Sequence, residues 1–368
     1  RRQRRMCIRD RYGHAPYREV LTHGFFVDAE GRKMSKSLGN TVAPDKIYQQ
    51  YGADVLRLWV ASTDYRGEMT VSEEIFKQVS DSYRRIRNTA RFMLANLNGF
   101  DPAKHTIRPG EMLAMDYWIV RRCQLLQTEL MSHYNDYNFL GVYQKIHNFC
   151  VVELGGFYLD VIKDRQYTLK SDSLARRSTQ TAMFHILEMF SRLIAPIISF
   201  TADEIWENIP GDRADSVFLT NFSDAVEDLP ELSELDDQYW STLMEVRSAV
   251  NKELEVKRSE KVIGSGLSAE LELFCSANLM ADLKRLEEEL RFVLIVSKAS
   301  VYDIDDADSS AKPTGITGLK IRVEASNFEK CVRCWHHHVS GGKNSDHPLL
   351  CERCITNVEG DGETRRFA

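Results

Sequence analysis

VSEEIFKQVSDSYRRIRNTARFMLANLNG, residues 71–99, is the stretch on which the reading of this chain turns. Ser72 is placed to cap a helix, Glu73 and Glu74 put negative charge in its first turn, and Gly99 stops it. At about 100° per residue, Ile75, Val79, Ile86, Ala90, Met93 and Leu97 share one face, and Lys77, Arg84, Arg87 and Arg91 share the opposite one. One side packs and the other is cationic.

Beyond it the same period recurs over residues 116–134, 139–160, 173–194 and 201–207, separated by short turns, which predicts an antiparallel helix bundle. Residues 210–237 are acidic, broken by Pro and Asp, and read as a connector. After a helix at 238–256, strands at 269–275, 292–301 and 318–323 around a helix at 279–290 predict a small α/β domain, with 302–318 as a surface loop. The expected fold is mainly α with a smaller α/β part.

Length and composition agree with several units. The 368 residues are 43% hydrophobic, enough for more than one core. No run approaches the roughly 20 apolar residues that cross a bilayer, so no membrane partner is expected. The net charge of −6 argues against coating nucleic acid by bulk electrostatics and leaves the question to local cationic patches. Cys7, Cys123, Cys150 and Cys275 are scattered singly, which points to reduced thiols and a cytoplasmic location. The basic run at residues 1–11 is read as a non-native or disordered tail, against the alternative of a nucleic-acid-binding arm.

Two motifs carry chemistry. Lys33-Met34-Ser35-Lys36-Ser37 lies between Gly31 and Leu38-Gly39-Asn40. Two lysines three apart on a glycine-bounded loop can bring two ammonium groups onto a polyphosphate and offset charge that builds as its α-phosphorus is attacked. The plain alternative is a solvated basic loop. Cys331-Val332-Arg333-Cys334 is followed, after sixteen residues, by Cys351-Glu352-Arg353-Cys354. Two such turns supply four thiolates for a closed tetrahedral Zn²⁺ site with a structural role, against disulfides or a redox pair. His336, His337, His338 and His347 are expected at the surface or facing phosphate, Trp335 is expected to pack over the knuckle, and Arg333, Arg353 and Lys330 to give it positive charge.

The lysine motif resembles the second signature of class I aminoacyl-tRNA ligases, and residues 51–59, Tyr-Gly-Ala-Asp-Val-Leu-Arg-Leu-Trp, resemble its continuation in the isoleucine, valine and leucine branch. Residues 59–65 and 82–89, together with the Cys-x-Arg-Cys-Trp opening of the knuckle, are most similar to the bacterial isoleucine ligases. The resemblance runs from about residue 13 to the last. It implies the end of a Rossmann-like catalytic domain with a stem-contact linker at 12–70, an anticodon-binding helix bundle at 71–209, the connector at 210–237, an α/β junction domain at 238–325 and a zinc knuckle at 326–368.

It also implies that Lys36 contacts ATP phosphates, that Lys33 assists and that Ser35, Ser37 and Met34 shape the loop, with Mg²⁺ accompanying ATP. The implied partners are isoleucine and tRNA(Ile), and the implied state is a monomer. For tRNA contact the candidates are Lys77, Arg84, Arg87 and Arg91, with Arg165, Arg176 and Arg177 beside Tyr167 suited to anticodon bases. The first ATP signature, His-x-Gly-His, is not found, since neither His23-Gly24 nor Gly13-His14 has its spacing, and no editing domain is recognised. The chain alone is therefore expected not to form adenylate. Rival readings are a non-catalytic tRNA-binding module and a valine or leucine ligase.

Overall fold

A computed structural model describes residues 11–14, 17–222, 229–231 and 235–368, so the basic run, apart from Arg11, lies outside the described residues. At the start, β1 (Phe26–Val27) pairs in parallel with β2 (Met69–Thr70), and the crossover that a parallel pair requires contains α1 (Pro44–Tyr51) and α2 (Ala53–Ala61). The Trp59 ring of α2 lies 5.3 Å from that of Phe76, which ties this unit to the next helix.

That helix, α3 (Glu73–Asn96), begins as the sequence dictates, with the Ser72 hydroxyl accepting the Ile75 amide at 3.3 Å. Val79, Ile86, Ala90 and Met93 are buried as expected, but Phe76 is buried where Ile75 is only partly covered. The packed stripe is therefore rotated slightly from the expected one.

The bundle continues through α4 (Ala114–Asn135), α5 (Phe139–Asn148), α6 (Lys163–Thr168), α7 (Leu174–Ile194) and α8 (Ser199–Asn208). The single helix expected over 139–160 is interrupted by a π-helical stretch at Phe149–Tyr158, whose wider turns include the Gly155-Gly156 pair. Inside the bundle, Asp116 of α4 accepts from Arg165 of α6 at 2.9 and 3.0 Å, from the Tyr158 hydroxyl at 2.7 Å and from the Ser178 hydroxyl of α7 at 2.6 Å. A buried ion pair holds its place only when its remaining bonding capacity is filled, and this carboxylate is saturated.

The connector lies against the bundle. Arg213 donates to Glu188 at 2.7 Å, and the Tyr117 hydroxyl donates to the Pro230 carbonyl at 2.7 Å. Residues 223–228 and 232–234 lie outside the described residues. In α9 (Asp237–Ser259), Trp240 stacks on Trp118 with centroids 5.4 Å apart, so one hydrophobic core runs from the bundle into the α/β part.

That part is a four-stranded sheet ordered β4-β3-β6-β5, formed by β3 (Ala269–Cys275), β4 (Lys298–Asp303), β5 (Lys312–Pro313) and β6 (Leu319–Ala325). β3 is parallel to β4, with Glu270 opposite Lys298, and antiparallel to β6, with Ala269 opposite Ala325. The crossover holds α10 (Ala277–Lys284) and α11 (Leu290–Leu294). Two expectations are corrected here. The first half of the strand expected at 292–301 is the end of α11, because a short apolar run has no period of its own and Ile295, with φ of 54°, closes it as a helix. The loop expected at 302–318 contains the end of β4 and the short edge strand β5.

The cysteine knuckle follows, and its second pair opens α12 (Glu352–Val358). Among the described residues no helix is long and apolar enough to cross a membrane.

Candidate functional site

The lysine motif leaves β1 through a turn built on Asp28. Its carboxylate accepts the Arg32 amide at 2.8 Å and the Arg32 Nε at 2.9 Å, and accepts the Asn40 amide group at 2.9 Å from the far side of the loop. The bond from Asn40, followed by those from Arg32, lowers the Asp28 carboxyl to about 2. Asn40 in turn accepts the Ser35 amide at 2.9 Å, and Ser35 caps a short 3₁₀ turn at Lys36–Leu38 that Gly39 ends with φ of 68°. The loop is thus held at both ends by one carboxylate.

What it presents is charge. Lys33 and Lys36 are both exposed, and neither pairs with a carboxylate among the described residues. The Lys33 ammonium sits 3.6 Å from the Phe25 ring centroid. Met34 is half-buried and lines an apolar cavity of about 370 Å³ with Phe26, Trp59 and Phe76, while the Ser35 and Ser37 hydroxyls lie 3.1 Å apart. Asp28 and Asn40 were not singled out as functional from the sequence, although Asp-x-x-Gly before the motif and Asn after its last glycine are turn signals.

At the knuckle the Sγ atoms of Cys331, Cys334, Cys351 and Cys354 lie within 4.8 Å of one another, all buried. The Cys334 and Cys351 sulfurs are 3.7 Å apart. Tetrahedral thiolate coordination at the usual Zn–S length requires about 3.8 Å, so the donor set fits that ion. Hydrogen bonds from Cys334 and then Cys354 hold the Cys351 thiol well below its ordinary value.

Around the cysteines several expectations are corrected. His336 is buried, with Nδ1 3.2 Å from the Cys334 carbonyl and its ring edge-on to Phe292. Trp335 does not cover the knuckle. It has φ of 65° and is 60% exposed, because the left-handed turn after Cys334 swings the indole outward. Arg353 is not a free surface charge. It donates to both oxygens of Asp164 in α6, at 2.7 and 2.8 Å, and Arg365 adds a third bond at 2.8 Å. Burial alone would raise the Asp164 carboxyl, yet Arg353 and Arg365 keep it well below the usual carboxylate range.

The cationic candidates divide in the same way. On α3, Lys77 pairs with Glu73 at 3.0 Å, Arg84 with Asp81 at 2.5 Å and Arg87 with Glu204 at 2.8 Å, leaving Arg91 exposed with no carboxylate partner among the described residues. Arg165 is a correction, since it is 1% exposed against Asp116 and cannot touch RNA in this arrangement. Arg176 and Arg177 sit half-buried at the start of α7, where Arg176 feels the charge of Arg333 while Arg177 donates to the Gly99 carbonyl at 3.1 Å and to Gln180 at 2.8 Å, and Tyr167 is exposed.

Comparison with known proteins finds three stretches of the chain that match known families. Residues 5–72 match the family of tRNA synthetases class I (I, L, M and V), residues 116–273 the anticodon-binding domain of tRNA ligase, and residues 328–357 the zinc finger found in FPG and IleRS. A class I tRNA synthetase with an attached anticodon-binding domain and a zinc finger is the class so defined.

Among curated relatives, the isoleucine–tRNA ligase of Pseudomonas putida (strain W619) is 57% identical over 355 residues, covering 96% of this chain. That of Methylococcus capsulatus (strain Bath) is 56% identical, again over 96% of it. The chain belongs to the isoleucine–tRNA ligases, and it spans 38% of the length of these relatives. A solved LeuRS of Agrobacterium radiobacter K84, in a ternary complex with tRNA and LeuAMS, is 21% identical with a TM-score of 0.43, covering 62% of this chain and 26% of that one.

Proposed function

We propose that the chain is the C-terminal portion of a cytoplasmic, monomeric enzyme that uses ATP with Mg²⁺ to form isoleucyl-adenylate and then transfers isoleucine to tRNA(Ile). The supporting observation is the exposed Lys36, without a carboxylate partner among the described residues, on a loop fixed by Asp28 and Asn40, in a chain 56–57% identical to isoleucine–tRNA ligases. Lys36 and Lys33 would meet the triphosphate, where a preorganised ammonium stabilises charge on the departing pyrophosphate. Ser35 and Ser37 would keep the turn in shape, and Met34 would anchor it by packing.

Residues 12–70 would then be the end of the catalytic domain and a stem-contact linker, 71–209 the anticodon bundle, 210–237 the connector, 238–325 the junction domain and 326–368 the zinc knuckle. Cys331, Cys334, Cys351 and Cys354 would hold Zn²⁺ in a closed site, which locks two turns and leaves no position for catalysis. Lys77, Arg84, Arg87, Arg91, Arg176 and Arg177 would contact the tRNA backbone, with Arg91 the least encumbered of those on α3.

In the complete enzyme, Lys36→Ala is expected to lower isoleucine-dependent pyrophosphate exchange about a hundredfold or more while tRNA affinity stays the same. Equal exchange rates would defeat the assignment. Charging assays with isoleucine, valine and leucine separate the three amino-acid branches.

A further inference from the structure

The turn between α7 and α8 is held from outside, by one face of α2. Asp54 and Arg57 lie three residues apart on that helix and so point the same way. The Asp54 carboxylate is 6% exposed and accepts the amides of Phe200 at 3.3 Å and Thr201 at 2.7 Å, together with the Thr201 hydroxyl at 2.6 Å. Those amides are first-turn donors of α8, whose own N-cap, Ile198, has no side-chain oxygen to take them. The cap comes from 147 residues away.

Arg57 does the converse at the neighbouring helix end. Its Nε donates to the Ile197 carbonyl at 2.7 Å and a second guanidinium nitrogen donates to the Pro196 carbonyl at 2.8 Å, just past the last turn of α7. A helix start carries partial positive charge and a helix end partial negative charge, so the acid and the base of α2 each meet the matching pole. The Thr201 hydroxyl gives its proton to Asp54 and accepts from Tyr83 at 2.8 Å, which brings the cationic helix α3 into the same network.

The opposite face of α2 lies under the lysine loop. Leu56 and Trp59 line the cavity of about 370 Å³ that Met34 also lines, and the Trp59 ring is 5.9 Å from that of Phe26 in β1. One nine-residue helix therefore touches the loop on one side and the bundle on the other. On the bundle side its packing is incomplete, since a cleft of about 250 Å³ remains where Val60 and Ala61 face Tyr134 and Phe139. Directional bonds carry more of the alignment there.

We propose that Asp54 and Arg57 are positioning residues that fix the angle between the lysine loop and the bundle, so that an RNA held on the bundle presents its acceptor end in register with the reacting centre. Neither side chain touches a substrate. The inference rests on the reading above of an enzyme that forms an adenylate and then transfers isoleucine to tRNA, and it concerns the second step. Adenylate formation needs the loop alone of these two parts, whereas transfer needs a substrate aligned with both. A misplacement of about 1 Å, arising far from the chemistry, can slow such a step about a hundredfold.

The test is made in the complete enzyme, where two rates are measured for each variant: isoleucine-dependent pyrophosphate exchange without tRNA, and single-turnover transfer from preformed adenylate to tRNA(Ile). Arg57→Ala and Asp54→Ala are each expected to slow transfer about tenfold or more while exchange stays within about twofold of wild type. Arg57→Lys keeps a positive charge at the end of α7 and should recover part of the loss. Arg57 is exposed, so its variants decide the matter even if Asp54→Ala fails to fold. Undiminished transfer in Arg57→Ala, or exchange and transfer falling together, overturns the positioning role while leaving the enzyme reading intact. A wild-type enzyme that neither exchanges nor transfers overturns that reading and this inference together.

Discussion

The lysine loop and the cysteine knuckle are both short motifs, yet they place their cations in opposite ways. Lys33 and Lys36 face solvent with no carboxylate partner among the described residues, on a turn whose anchoring carboxylate, Asp28, is buried at the base. At the knuckle Arg353 points inward and, with Arg365, closes on Asp164 of a neighbouring helix, while Arg365 also lies 3.3 Å from the Phe292 ring centroid. Exposed charge can be given to a ligand, whereas buried paired charge is committed to the fold. Equal-looking basic residues in the two motifs therefore do different work.

That contrast can be broken first at its strongest point. Asp164→Ala removes one of the two carboxylates that Arg353 and Arg365 share and leaves them only Glu363, at 3.2 and 2.7 Å, so the cost should approach without reaching the roughly 3–5 kcal/mol of a buried ion pair that has lost its partner. Urea unfolding should show that loss, and a loss below about 1 kcal/mol would mean the pairing is incidental.

Metal removal probes the same region from the other side. Cys351→Ser should lower the zinc content measured by mass spectrometry and raise amide exchange across 328–357 while α4 and α7 stay protected, since their core is separate from the sulfur cluster. Retention of one zinc per chain would rule out the four-thiolate site.

A smaller effect is expected on α3. Arg91→Ala should weaken tRNA binding more than Lys77→Ala, because Lys77 is already engaged by Glu73 at 3.0 Å. Equal effects would show that such surface pairs open freely on binding.

The mildest test is pH. Asp28 is held at about 2, below its unfolded value of about 4, so its stabilising bond to Asn40 is complete above that value and is lost as pH falls toward 2. Exchange of the Ser35 amide, which bonds to Asn40, should speed up over that interval. Asp164, lowered by its two arginines, acts with the same sign at the knuckle.

Much of this was written in the chain. The Ser72 cap, the apolar stripe of α3, strand β3 and the four cysteines are local or periodic signals, because a helix repeats every 3.6 residues and a Cys-x-x-Cys turn sets its own sulfur spacing. Only the folded chain decided which cations are free. Arg165 and Arg333 look alike in sequence, but one meets Asp116, 49 residues away, and the other reaches a groove shared by three units. Burial and charge pairing depend on neighbours distant in sequence, and no local pattern contains them.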